Sequence, residues 1–152
     1  QDRVIDVVFK GVEKAQPAPG VLDAILDAEA VIVCPSNPIV SIGTILSLKG
    51  VRNALKETQA NVVAISPIVG GAPIKGPADK LMMGLGLEVS SYAVADLYKD
   101  FLDLFIIDIM DKTQRPKIET LGLRVLITNT IMKDLEDKIQ FARVVLDAIE
   151  KR

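Results

Sequence analysis

An α/β fold, Rossmann-like, with a mostly parallel sheet wrapped by helices, follows from three features of the sequence. Short runs of β-branched and apolar residues recur at strand length. Amphipathic segments of helical period separate them. Apolar residues make up 49% of the chain but aromatics only 4%, with no Trp, so the core has to be Val, Ile, Leu and Ala. Continuous apolar strands alternating with helices are the pattern of a sheet buried on both faces.

The elements follow in order. Residues 4–9 (VIDVVF) predict a first strand, and the turn-rich "AQPAPG" leads away from it. Pro19 suits a helix start, with Leu22, Ile25 and Leu26 on one face. Residues 30–34 (AVIVC) form a continuous apolar run of strand length, broken by Pro35 and Pro38, which restrict the backbone before them. The 19 residues between Glu29 and Lys49 carry no charge. Two prolines, an Asn and a Gly inside that run exclude a membrane helix. A short helix and "KGVRNALKE" lead to a second buried strand, 61–66 (NVVAIS). Pro77 suits the first position of a helix, and Gly84 and Gly86 its exit. Ser90 can cap the next helix, with Val94, Leu97, Tyr98 and Phe101 at helical spacing. Residues 104–107 and 125–128 are two more short strands. The last helix starts near Asp134, with Leu135, Ile139, Ala142, Leu146 and Ile149 along one stripe. At 152 residues this is one α/β domain, or half of one.

Composition narrows the chemistry. The formal net charge is −2, from 18 basic and 20 acidic residues without a basic block, which disfavours nucleic acid as a partner. Cys34 is the one cysteine and there is no histidine. An intrachain disulfide is therefore impossible, in keeping with a reducing cytoplasm. Ser-His-Asp and Cys-His catalysis and the usual zinc sites are excluded as well. What is left is carboxylates, lysine and arginine, hydroxyls, backbone amides and a hard metal. Cys34 reads as a small buried apolar residue, Met82 and Met83 as core. Asp108 and Asp111 read as capping acids at a strand-to-helix turn.

Ligands of open parallel sheets bind beyond the carboxyl ends of the strands. Two such ends stand out, "CPSNPIVSIG" and "SPIVGGAPIKGPAD". Gly43, Gly70, Gly71 and Gly76 permit close backbone approach, and Ser36, Asn37, Ser41 and Ser66 supply short polar groups. Each loop enters a helix, whose free N–H groups favour an anion. Lys75 adds a point charge, and Asp79 a carboxylate for a metal or a base. Taken alone, either loop is more economically a tight turn, and Lys75 with Asp79 a solvated pair. Two such loops in one domain carry the ligand reading, which reaches a nucleotide or phosphate site and no further. No residue is singled out as catalytic.

The segments "CPSNPIVSIGTIL", "ISPIVGGAPIKGPADKLM", "YKDFLDLFIID" and "LITNTIM" together resemble the 2-phospho-L-lactate transferase family of coenzyme F-420 biosynthesis. The resemblance runs through almost the whole chain. It implies transfer of a phospholactyl (or phosphoenolpyruvyl) group from a guanosine-diphosphate-linked donor to a deazaflavin, releasing GMP, with magnesium as cofactor. Carried over residue by residue, it places nucleotide and phosphate binding on Ser36, Asn37, Pro38, Ser41, Gly43, Gly70, Gly71, Lys75 and Gly76, with Asp79 at the metal. The family commonly has a proline where Thr44 stands. Its members are about twice this length and begin with a strand and glycine-rich turn absent here, so the chain resembles their C-terminal half. That implies a missing N-terminal half bearing the acceptor residues, and a homo-oligomer. An alternative shares the architecture: a regulator of the gluconeogenesis-factor type, binding a nucleotide-sugar without turnover.

Overall fold

The computed structural model describes residues 4–150. In chain order they form α1 (Val21–Leu26), β1 (Ala30–Val33), α2 (Ile42–Leu46), α3 (Val51–Glu57), β2 (Asn61–Ile65), a small hairpin of β3 (Ile68–Val69) and β4 (Ala72–Pro73), α4 (Ala78–Gly84) and α5 (Ser91–Tyr98). Then come β5 (Leu104–Asp108), a 3-10 turn (Ile109–Gln114), α6 (Arg115–Glu119), β6 (Arg124–Thr128) and α7 (Leu135–Glu150). Strands β1, β2, β5 and β6 make one parallel sheet in that spatial order. The four apolar runs thus pair as the alternation with helices predicts. No helix among the described residues is long and apolar enough to cross a membrane.

Strand periodicity sends alternate residues to opposite faces. Val62, Ala64, Phe105 and Ile107 face a core closed by Val51 and Leu55 of α3, Met82 of α4, Val94 and Tyr98 of α5, and Ile118 of α6. Val63, Ile65, Leu104 and Ile106 face the other way, onto Phe141 and Val145 of α7. Burying those two helix side chains contributes roughly 1.5–3 kcal/mol each. Asn61 Nδ2 donates to the Ile149 carbonyl at 3.1 Å and fixes the far end of α7 over β2. Ser90 caps α5 as its sequence position suggests, its hydroxyl accepting from Ala93 N at 3.1 Å.

The second face is only partly covered. Each crossover from β1 to β6 steps one place in the same direction, with its helices packed on the first face. Ile32 is in register with Val63 and so lies on the α7 side, yet it is 41% exposed while Val63 is fully buried.

Four expectations need correction. Residues 4–9 form no strand: Ile5 and Val8 are solvent-facing, and the segment runs along the helices instead of joining the sheet. A strand needs a partner edge, and its route past Gly84 takes it away from β1. The stripe read along α7 is rotated. Phe141 and Val145 take the sheet, while Leu135 (70% exposed), Ile139 and Leu146 point outward. Cys34 is exposed, because it follows the edge strand on a face with little cover. Met82 is core, but Met83 is exposed.

Candidate functional site

At the carboxyl ends of the strands lies a cavity of about 690 Å³. Three loops wall it: 35–41 after β1, 66–78 after β2, and 130–133 after β6 leading into α7. The first wall is shaped by Asn37. Its Oδ1 accepts from the backbone N–H of Ile39 (2.9 Å) and Val40 (3.1 Å), and its carbonyl from Ile42 (3.0 Å). This local turn holds the loop and leaves the Asn37 amide nitrogen as a directed donor. Ser41 precedes α2 without spending its hydroxyl on a cap. Gly43 allows the loop to fold back, since a Cβ there would lie 2.9 Å from the Pro38 carbonyl oxygen.

In the second wall, Ser66 is buried and turned onto its own loop, donating to the Ile68 carbonyl at 2.8 Å. Gly70 and Gly71 form the two-residue tip of the β3–β4 hairpin with φ of 60° and 78°, values a type I′ turn demands. Beyond the hairpin, Lys75 and Gly76 return to the cavity.

The structure therefore gathers Ser36, Asn37, Ser41, Lys75 and Gly76 around one space. Pro38 and Gly43 sit behind it, on a smaller apolar cleft beside Tyr98. Gly70 and Gly71 lie outside the wall, where turn geometry accounts for them.

Sequence reasoning missed the third wall. Thr130, Ile131, Met132 and Lys133 line the cavity, and Lys138 reaches it from the first turns of α7. The Lys133 N–H donates to Asp137 Oδ2 (2.9 Å), while Asp137 N donates to Asp134 Oδ1 (3.0 Å), so the same acids that start the helix seat Lys133. The signal was available: "TNTIMK" also leaves the carboxyl end of a strand of the parallel sheet.

The electrostatics of the cavity are one-sided. Among the described residues Lys75, Lys133 and Lys138 line it and no Asp or Glu does, in a chain whose net charge is negative. Within the described residues none of the three lysines has a carboxylate partner. A helix dipole typically contributes about 0.3–1 kcal/mol to holding an anion, and α2 and α4 have only five and seven residues. Charge-assisted hydrogen bonds from lysine are roughly 1.5–3 kcal/mol each. The attraction for an anion belongs to the lysines.

Among the described residues the cavity wall offers magnesium no carboxylate. Asp79 is in the first turn of α4, off the cavity wall, and no group of three or more His, Cys, Asp or Glu able to hold a metal occurs among the described residues.

Behind the walls, two acids at the end of β5 are buried. Asp108 accepts from Met110 N, Thr130 N and Thr130 Oγ1; Asp111 accepts from Gly70 N. Burial pushes the Asp111 carboxyl above the usual carboxylate range, with the neighbouring Asp108 charge adding to it against the Gly70 hydrogen bond. A raised folded-state value means that the folded protein holds this proton more readily than the unfolded chain. The associated stability is complete at acid pH and is lost as pH rises through the raised value. Asp111→Asn, which keeps an acceptor for Gly70, is expected to gain stability relative to wild type as pH climbs from about 4 towards neutrality. Urea midpoints at stepped pH check this; a constant difference at all pH values would refute it.

A second hollow of about 660 Å³ lies at the amino ends of the strands. There Lys56 is paired with Asp100 at 2.7 Å and Asp103 accepts from Val62 N at 2.8 Å. Its charges serve the fold, at the end of the sheet where parallel α/β proteins do not bind ligands.

A one-directional parallel sheet with loops walling a cationic cavity at its carboxyl end defines a Rossmann-like α/β protein. A family model described as 2-phospho-L-lactate transferase CofD matches residues 1–140. The chain belongs to that family. It is 47% identical over 146 residues to a 2-phospho-L-lactate transferase of Methanothermobacter thermautotrophicus, covering 96% of this chain and 46% of the relative. A protein of the same name from Methanocaldococcus jannaschii is 43% identical over 144 residues, covering 95% of this chain and 45% of the relative. The chain thus spans about half the length of the curated relatives it matches. Among solved structures, a UPF0052-family protein of Bacillus halodurans superposes with a TM-score of 0.55 at 16% identity, over 85% of this chain and 46% of that one. That likeness speaks to the fold alone.

Proposed function

We propose that this chain is the C-terminal half of a transferase that moves a phospholactyl or phosphoenolpyruvyl group from a guanosine-diphosphate-linked donor to a deazaflavin hydroxyl. The observation that carries the reading is the cavity at the ligand-binding end of the sheet, where among the described residues three lysines without ion-pair partners and no carboxylate line the wall. The family relationship supplies the substrate class.

In the reaction, the acceptor hydroxyl oxygen forms a bond to the phosphorus bearing the organic acid. The bond from that phosphorus to the oxygen bridging the diphosphate breaks, and GMP leaves with the electron pair. Such transfers depend on positioning and on neutralising charge spread over phosphate oxygens. Lys75, Lys133 and Lys138 would meet the diphosphate, Asn37 Nδ2 and the Ser36 and Ser41 hydroxyls would orient it, and Gly76 would let backbone approach. The acceptor's pocket and the group that takes the hydroxyl proton belong to the other half of the protein. That half packs on β1 and the open face of the sheet, and a homo-oligomer forms from the whole.

The test is turnover by the full-length protein with a guanosine-linked donor and deazaflavin, following GMP and the phosphodiester product. Both are expected in equal amounts, with a uridine-linked donor inert. Tight binding of a uridine nucleotide-sugar with no turnover of any donor would replace the transferase reading with the regulator.

A further inference from the structure

One turn at the end of β5 holds two cavity walls from behind. Asp108 is 3% exposed. Its Oδ2 accepts from Thr130 N at 2.8 Å and from Thr130 Oγ1 at 3.1 Å, while Oδ1 accepts from Met110 N at 3.0 Å. Three residues on, both oxygens of the equally buried Asp111 accept from Gly70 N, at 3.1 and 3.2 Å. Neither carboxylate lines the cavity, and neither forms an ion pair within the described residues. Capping the 3-10 turn would need only the Met110 bond. Burying carboxylates without a cation is unfavourable unless their hydrogen bonds are satisfied. Here those bonds are made to the two segments that carry lysines onto the wall.

We propose that Asp108 is a positioning residue for the anion site: it fixes the 130–133 loop, and through it the Lys133 ammonium, while Asp111 anchors the hairpin that leads to Lys75. Asp108 is a carboxylate at this point because donors face both of its oxygens, Thr130 on Oδ2 and Met110 N on Oδ1. An amide in its place would set an N–H₂ group against an N–H or would give up a bond. The proposal rests on the reading of the cavity as a diphosphate site.

The experiment is a double-mutant cycle in the full-length protein, with GDP and inorganic pyrophosphate as calorimetric probes. Asp108→Asn is expected to weaken both about 10-fold, the effect of one misplaced charge-assisted contact. In a Lys133→Ala background the same change is expected to weaken them less than about 2-fold, because the residue it acts through is gone. A purely structural role predicts the same loss in both backgrounds, and that result, or no loss in either, overturns the proposal. If Asp108→Asn does not fold, Thr130→Val, which drops only the hydroxyl bond, takes its place in the cycle with a smaller loss expected. Wild-type protein that binds neither probe would overturn the site reading itself. Wild-type binding without coupling would overturn the positioning role alone.

Discussion

Replacing Lys75, Lys133 and Lys138 together by alanine in the full-length protein is expected to weaken GDP binding by about three orders of magnitude. Each lysine that meets a phosphate oxygen contributes of the order of 1.5 kcal/mol, or tenfold, and the three face one cavity from two of its walls. Single replacements should lose about 10-fold each. The product is an upper figure, because charges around one ligand do not act independently. Thermal stability should hardly change, since these are surface lysines without ion-pair partners among the described residues, and such substitutions usually stay within about ±0.5 kcal/mol. Relief of like-charge repulsion would even favour the folded variant. Affinity should also fall more gently with added salt in the variant than in the parent. Calorimetric titration with GDP at two ionic strengths, beside melting curves, decides the matter. A folded triple variant that binds GDP as the parent does removes the cavity from consideration as the anion site.

The sequence was a good guide wherever a local rule decides the outcome. The strands are continuous apolar runs with breakers at their ends, and all four are found in one parallel sheet. Ser90 caps α5 because a short hydroxyl before an apolar-periodic segment has few better uses. Asn37 bonds its own loop in an Asx turn, which is again a local rule, and that turn is what aims its amide nitrogen. Reading failed where the answer depends on which surface arrives first. Helix α7 carries two apolar stripes, and period alone does not say which one meets the sheet; Phe141 and Val145 do. The glycines also have local backbone reasons: Gly70 and Gly71 satisfy a hairpin, and Gly43 a close backbone approach. Lysine was undervalued. Lys133 and Lys138 are ordinary in the sequence because nothing local says that the end of β6 and the start of α7 fold back against "PSNP". The tethers Asp108–Thr130 and Asp111–Gly70 span 22 and 41 residues, beyond the reach of any motif.

The open face of the sheet yields the other large effect. Ile32→Lys is expected to be nearly harmless in the isolated chain and severely destabilising in the full-length protein. In the isolated chain Ile32 is 41% exposed, so a lysine there keeps its ammonium in water and loses little packing. Its neighbour in register, Val63, is fully buried under α7, and Leu135 and Leu146 turn a second apolar stripe of that helix outward. In doubly wound folds, strands stepping in one direction carry their helices on one face, and strands stepping the other way supply the opposite layer. All three crossovers in this chain step one way. In the arrangement proposed above, the remainder of the protein lays that layer over β1, and the relatives are about twice as long as this chain. Once covered, Ile32 becomes core, where truncating an isoleucine costs roughly 2–5 kcal/mol and burying an unpaired ammonium costs more. Urea unfolding of the parent and the variant, in both lengths of chain, gives four midpoints. Cys34, exposed in this chain, provides a second reading on the same face, and its alkylation should slow when the remainder of the protein is present. Equal, small shifts in both lengths, with Cys34 alkylated equally fast, would mean that the other half packs elsewhere and that β1 remains a true edge.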